Sequence, residues 1–350
     1  MLANAAELPS MPPLNVLLIS DDRPGHYHLS DGVVAAISRL RPVQVTRLPI
    51  QRRGWIPTRT LAQLMIAGMR PAAVVNFGYG IDAYALPATD LIVSAGGETQ
   101  VPNAAIARVT GAANIFCGSL RRLPPDAFSL VISSYAKHAS LPRHVVTLKP
   151  SSFDPDKLKT IAGGRRVPPR LAGALIGGDS GQFRFQEKDW RELLGVLEAS
   201  FATHGTRWLV SNSRRSPHGV SNDLSALAQK ANGPIAEFID VRTAGPGTLA
   251  RIFEQVEVIL CTEDSSTMIS EAVCARLPVV GVAPRRHSFD DEERGYRDFM
   301  RDSGWSRSLP LAELSPDLFA AELAKITPLQ ENHLDLLAAT LRERLPQLLV

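Results

Sequence analysis

The sequence predicts an α/β protein of two doubly wound domains, each a mostly parallel sheet with helices on both faces. Three observations predict it. Short apolar runs of strand length alternate with segments of helical periodicity, as parallel sheets built from crossover units require. The alternation stops at a stretch rich in Pro, Gly and charge, SSFDPDKLKTIAGGRRVPPRL, and then restarts. The chain has 350 residues, 45% of them hydrophobic, which suits two cores better than one.

In the first half, strands are expected at 15–20 (NVLLIS), 43–48 (VQVTRL), 72–77 (AAVVNF), 90–95 (DLIVSA), 113–118 (ANIFCG), 129–134 (SLVISS) and 145–150 (VVTLKP). Helical patterns fall near 31–40, 59–69 and 100–109. After the Pro/Gly-rich linker, strands are expected at 172–178, 207–212, 235–240, 256–261 and 278–283. Helices near 187–203, 218–231, 246–255, 265–276 and 290–302 separate them, and amphipathic stretches near 312–325 and 329–345 follow. In such folds ligands sit beyond the carboxyl ends of the strands, so the cleft between two such domains is the expected site.

Composition narrows the function classes. The net charge is only +3, which demands no nucleic-acid partner. The basic residues are mostly Arg, with pairs at 52–53, 121–122, 165–166, 214–215 and 285–286. Paired Arg suits forked recognition of phosphate or carboxylate, and it equally suits solvated loop charge. Cys117, Cys261 and Cys274 have no metal-ligand spacing and fit a reducing compartment. The opening MLANAAELPSMPP lacks the basic and apolar segments of a signal peptide, and no apolar run reaches membrane-spanning length. The expected location is the cytoplasm, with peripheral contact at the inner face of a membrane as an addition. The loop PIQRRGWIPTR (49–59) places Arg52, Arg53 and Arg59 beside Trp55 and Ile56, which suits either an anionic membrane surface or an ordinary surface loop.

Polar residues collect at the carboxyl ends of the expected strands. SDDRPGHYHLSDG follows the first and holds Gly25, His26 and His28; SAGGETQVPNAA follows the fourth with Gly96, Gly97 and Glu98. GGDSGQFRF, SNSRRSPHG and TEDSSTMISEA occupy three such ends in the second half. Gly-rich loops that open into helices present backbone N–H groups and a positive dipole end to a phosphate, although tight turns need glycine as well. Neither loop carries a full dinucleotide or triphosphate fingerprint. His26, in a loop, is a candidate base for an acceptor hydroxyl. Glu271 shares a helical face with Asp264 and Thr267, where a carboxylate would accept ribose hydroxyl protons. Asp264 or Ser265 would cap that helix. No GxSxG, CxxC or HExxH is present, and no metal site is expected.

RPGHYHLSDGVVAAI, SAGGETQVPNAAIAR, LIGGDSGQFRFQEKDW, SNSRRSP and TEDSSTMISEA with LPVVGV together resemble the mitochondrial-fission family, in its bacterial branch. The resemblance runs over about residues 14–300. It implies a GT-B-like fold of two Rossmann-like domains, at 1–160 and 161–328, with 329–350 as a C-terminal helix returning to the first. The pattern is also similar to the GT-B transferase that glycosylates a lipid-linked peptidoglycan precursor. That similarity implies that Gly25 and His26 face the acceptor, with His26 catalytic; His28, Gly96, Gly97 and Glu98, in loops at strand ends of the same half, are expected on the acceptor side with them. On the donor side it implies Gly177, Gly178 and Ser180 at phosphate, with Ser266 and Glu271 at ribose. Ser213, Arg214, Arg215, Glu263, Asp264, Ser265 and Met268 complete the donor side. Asp179 stands where a diphosphate would approach, so its carboxylate has to turn away or be offset by Arg214 and Arg215.

Two functions follow as expectations. One is a metal-independent glycosyltransferase that uses a nucleotide-diphosphate sugar, needs no cofactor and serves a lipid-linked or envelope-related acceptor. The other is a non-catalytic scaffold of the same fold that recruits a protein partner at a membrane, as plant members of the family recruit a dynamin-like protein.

Overall fold

The computed structural model describes residues 12–21, 23–158, 166–245 and 247–349. Most of the N-terminal stretch, the middle of the expected linker and Arg165 lie outside the described residues. The chain divides into two compact units, Met1–Ser152 with His333–Val350 and Phe153–Asn332.

Unit 1 carries β1 (Leu14–Ser20), α1 (Pro24–Ile37), β2 (Val43–Pro49), α2 (Thr58–Ile66), α3 (Pro71–Tyr79), β3 (Leu91–Ala95), α4 (Gln100–Thr110), β4 (Ala113–Cys117), β5 (Leu130–Ser133) and β6 (His144–Val146). Its six strands are all parallel, in the order β2-β1-β3-β4-β5-β6. Strand side chains alternate between two faces. Leu17, Ile19, Ile92, Phe116 and Val131 face the layer of α2, α3 and α4. Leu14, Val16, Leu18, Val93, Ile115 and Ile132 face α1 and the residues from Leu334 to Leu349.

Unit 2 carries β7 (Leu171–Leu175), α5 (Glu187–His204), β8 (Arg207–Ser211), α6 (His218–Ala228), β9 (Ile235–Ile239), the single turn α7 (Val241–Ala244), α8 (Thr248–Phe253), β10 (Val258–Thr262), α9 (Ser266–Cys274), β11 (Val279–Ala283), α10 (Asp291–Asp302), β12 (Ser306–Pro310) and α11 (Pro316–Leu323). Its sheet is again six parallel strands, β12-β11-β10-β7-β8-β9. The chain then returns to unit 1 as α12 (His333–Arg344) and α13 (Pro346–Leu349). Leu334, Leu337, Ala338 and Leu341 pack with Val33, Val34, Ala36 and Ile37 of α1, so the expected return of the C-terminal helix is observed.

The structure corrects four local expectations. AAVVNF is the helix α3, not a strand: Pro71 opens it, Gly80 closes it in the left-handed region, and Val74, Val75, Gly78 and Tyr79 form its buried face. Helix α1 begins at Pro24, so Gly25, His26 and His28 lie in its first turns and not in a loop. The Gly177–Gly178 loop does not open directly into a helix, because α5 starts only at Glu187. Strand β12 was not expected; its pattern mixes Ser, Arg and Leu at the sheet edge, where one-sided burial leaves no apolar run.

Each sheet reverses its winding once. In unit 1 the reversal lies between β1 and β3, and in unit 2 between β7 and β10. Crevices at the carboxyl ends of such strand pairs are where open α/β sheets bind ligands.

Candidate functional site

In unit 1 the residues that follow β1 and β3 meet at that reversal. Asp21 leaves β1, and Arg23 N–H donates to its Oδ1 at 3.3 Å. Helix α1 then places His26 in its first turn, and His26 Nδ1 lies 2.8 Å from Asp21 Oδ2 and 3.0 Å from Oδ1. An ionised carboxylate only accepts, so Nδ1 is the donor in this pair, and Nε2 is the ring nitrogen that does not bind Asp21. Asp21 has a side chain only 5% exposed. Burial opposes its ionisation, but the hydrogen bond and charge of His26 outweigh that cost and hold its carboxyl below the ordinary value of 3.8.

Gly96, after β3, is the third member. It adopts φ +88°, a backbone region that favours glycine, and a Cβ there would come within 2.1 Å of His26 Nδ1. The glycine therefore lets the imidazole lie directly on the backbone. Gly97 follows it, and Thr99, which precedes α4, donates its hydroxyl to Gly96 O at 2.9 Å. His28 stacks edge-on against Tyr27 at 4.7 Å.

Glu98, expected on the acceptor side, is engaged by neighbouring side chains. Its Oε2 accepts from Arg52 Nε at 2.7 Å and from Thr58 Oγ1 at 3.0 Å, and its carbonyl accepts from Tyr79 Oη at 2.9 Å. Burial, with the Glu98 charge beside it, raises the Tyr79 phenol far above its ordinary range. Arg52 thus ties the 49–57 loop down onto the sheet, and Ile56 is buried beneath it. Only Arg53, Trp55 and Arg59 of that loop's basic and aromatic set face outward.

In unit 2 the loops after β7, β8 and β10 interlock. Gly177 N–H donates to Thr262 Oγ1 at 2.7 Å, and Gly178 N–H to Asp264 Oδ2 at 3.1 Å. Arg215 Nη2 donates to the same oxygen of Asp264. Ser216 Oγ bridges back to Gly177 O at 2.6 Å, and Arg215 N–H donates to Ser213 Oγ at 3.1 Å. Both glycines are required by close approach: a Cβ on Gly177 would stand 2.1 Å from Asp264 Oδ1, and one on Gly178 would stand 2.2 Å from Arg215 O. Arg214 is exposed beside this cluster.

Asp179 is held within its own loop. Its Oδ1 accepts from Phe185 N–H at 2.8 Å and closes its own loop, in which Ser180 pairs with Phe183 across a turn. Ser265, and not Asp264, is the N-cap of α9; its hydroxyl accepts from Met268 N–H at 3.4 Å. Ser266 is half-buried in the first turn. Glu271 is only 3% exposed, deeper than a side chain lying along an open surface. Glu263 is buried in an ion pair with Arg297, which also donates to Glu263 O at 2.6 Å and to Glu293 at 2.6 Å. The structure therefore brings Gly177, Gly178, Ser213, Arg215 and Asp264 together in one cluster. Ser265, Ser266 and Met268 stand beside it on α9, and Glu263 is sunk below.

Several residues of these clusters, Asp21, Thr58, Tyr79, Ser216, Thr262 and Arg297 among them, were not singled out by sequence reasoning. Asp21 is one of two adjacent acids after β1, and only its place five residues before His26 hinted at the pairing. Thr262 ends an apolar strand and looked like part of a cap.

The sequence profile of the family described as "Mitochondrial fission ELM1" matches residues 24–345. No curated protein sequence matches the chain. Among solved structures, UDP-GlcNAc 2-epimerase from Methanocaldococcus jannaschii is similar at TM-score 0.53 and 12% identity, over 95% of this chain and 99% of that one. Its complex with UDP-GlcNAc and UDP gives 0.50 and 10%, over 95% and 100%. The spinosyn forosaminyltransferase SpnP gives 0.50 and 14%, over 96% and 95%. At these identities the likeness shows the fold: two Rossmann-like halves of the GT-B kind.

Proposed function

The chain belongs to the Mitochondrial fission ELM1 family, and we propose that this member is a metal-independent GT-B glycosyltransferase using a nucleotide-diphosphate sugar. The observation that carries the reading is the Asp21–His26 pair seated on Gly96 at the winding reversal of unit 1. A histidine whose Nδ1–H is held by a buried carboxylate has the orientation of a general base that acts through Nε2.

In the proposed reaction His26 Nε2 takes the proton of an acceptor hydroxyl while that oxygen bonds the anomeric carbon of the sugar. The bond from that carbon to the diphosphate oxygen breaks, and the nucleoside diphosphate leaves with the electron pair. Asp21 stabilises the imidazolium that forms. Arg214 and Arg215 of unit 2 supply positive charge for the leaving diphosphate, and Glu271 is assigned to the ribose. The acceptor class is a lipid-linked or envelope-related hydroxyl compound.

A second reading is a non-catalytic scaffold that recruits a protein partner at a membrane. One observation favours membrane contact under either reading. The exposed face of α3 and its surroundings present Trp55, which is 71% exposed, with Phe77 edge-on to it at 5.5 Å, and Ile66 and Met69. Arg53, Arg59 and Arg70 accompany them, and no acid occurs between Asp31 and Asp82. Because Arg52 is committed to Glu98, the membrane test is Arg53→Glu with Arg59→Glu, which removes binding to anionic liposomes if this face docks.

The deciding experiment is thermal stabilisation by UDP, GDP, CMP and their sugars. A ligand at 100 times its Kd adds about 2.7 kcal/mol. A melting point unmoved by every one of them removes the transferase reading. Binding that persists in His26→Asn while release of nucleotide from the donor stops assigns the base.

A further inference from the structure

The anion cradle of unit 2 is already filled by the protein itself. Gly178 N–H and the Arg215 guanidinium, a backbone donor and a forked cation, are the groups a phosphate would take. Both converge on one oxygen, Asp264 Oδ2. The Asp264 side chain is 0% exposed. Its other oxygen, Oδ1, is buried without a hydrogen-bond partner and lies against the Cα of Gly177. A carboxylate serving only as a structural lock gains from satisfying both oxygens, whereas this one leaves a buried oxygen without a protein donor. Arg215 itself is 42% exposed, so the cradle has an open side.

From this geometry we infer that Asp264 is a resident anion: it occupies the phosphate position, and a diphosphate binds only by displacing its carboxylate from Gly178 N–H and Arg215. The inference rests on the proposed nucleotide reading and adds a residue that sets affinity at that site. Displacement exchanges one anion for another on the same two donors, so nucleotide affinity reports the difference between them. In the free protein the cradle is occupied by its own side chain, and the Asp264 carboxylate must leave those two donors when ligand enters. Asp264 is thus a specificity-determining residue that weakens binding and favours ligands able to supply more negative charge than a single carboxylate.

The test compares wild type, Asp264→Asn and Arg215→Gln as full-length protein, by calorimetry with inorganic pyrophosphate and with UDP. Asp264→Asn removes the resident charge and keeps the size; it is expected to bind pyrophosphate at least about ten times more tightly than wild type, a gain of about 1.4 kcal/mol. Arg215→Gln is expected to bind it more weakly than wild type, and the double variant to lose the gain. Asp264→Ser, which keeps a hydroxyl for Gly178 N–H, replaces the amide variant if that one does not fold. Pyrophosphate bound equally or more weakly after loss of the Asp264 charge overturns the inference. A pyrophosphate gain with no UDP binding by any variant leaves the resident anion standing and removes the nucleotide reading instead.

Discussion

The imidazole of His26 rests directly on the backbone of Gly96, so closely that a Cβ on Gly96 would stand 2.1 Å from His26 Nδ1. Gly96→Ala must therefore push the ring off Asp21 and strain a φ of +88° at the same time. The expected stability loss is about 1–3 kcal/mol, read by urea unfolding. Nucleotide release from the donor should fall with it while thermal stabilisation by nucleotide persists, because the change is confined to unit 1.

Asp21 makes a prediction about acid. Its folded-state carboxyl lies below the ordinary value of 3.8, despite burial, because of His26. A group with a depressed folded pKa stabilises above its unfolded value, and that contribution is lost as pH falls through the folded one. The stability difference between wild type and Asp21→Asn should therefore be full near neutrality. It should shrink once pH drops below about 3.8. A difference that stays constant down the acid limb would show that the carboxylate is not what stabilises.

Glu263 and Arg297 form an ion pair whose side chains are 2% and 10% exposed. Arg297 also lies over the Phe289 ring at 4.4 Å. Arg297→Ala strands a buried carboxylate and should cost about 3–5 kcal/mol. Glu263→Gln with Arg297→Met removes both charges and should cost clearly less. Equal losses in the two variants, measured by denaturant melts, would mean that packing and not charge dominates.

Gly177→Ala tests the fit under Asp264. The added methyl would stand 2.1 Å from Asp264 Oδ1, and overpacking of this kind costs about 1–3 kcal/mol. Combining it with Asp264→Gly should restore part of the loss, and the coupling in that double-mutant cycle measures the contact.

Glu271→Gln keeps size and helix propensity and removes the charge. Nucleotide affinity should fall at least about tenfold if the carboxylate accepts ribose hydroxyls through charge-assisted bonds. Because the side chain is only 3% exposed, stability should also drop, by about 1–3 kcal/mol. A large stability loss with affinity intact assigns Glu271 to the fold alone.

Periodicity revealed the architecture because a two-layered parallel sheet writes its burial into apolar runs, and β1, β3, β4, β7 and β10 were all legible in this way. The helix α3 was not, since Val74 and Val75 are β-branched and a six-residue apolar run is ambiguous between strand and buried helix. The capping pair of Pro71 and Gly80 carried the signal that decides it. At the candidate sites, strand ends marked the loops whose polar residues cluster in the structure. What lay beyond the sequence was how their polar atoms are spent: Asp264 on Gly178 and Arg215, Glu98 on Arg52, Glu263 on Arg297. Such pairings join residues far apart in the chain, and no spacing rule encodes them.

The return of α12 to unit 1 has a consequence for biosynthesis. A ribosome that has made the chain through Asn332 has delivered all of unit 2, yet the layer that α1 and the C-terminal helices form over one face of the unit 1 sheet is still incomplete. Leu14, Leu18, Val93 and Ile132, translated early, wait with an incomplete cover until Leu334, Leu337 and Leu341 emerge. The later-encoded unit can therefore complete its core first, reversing the usual order of domain folding during synthesis.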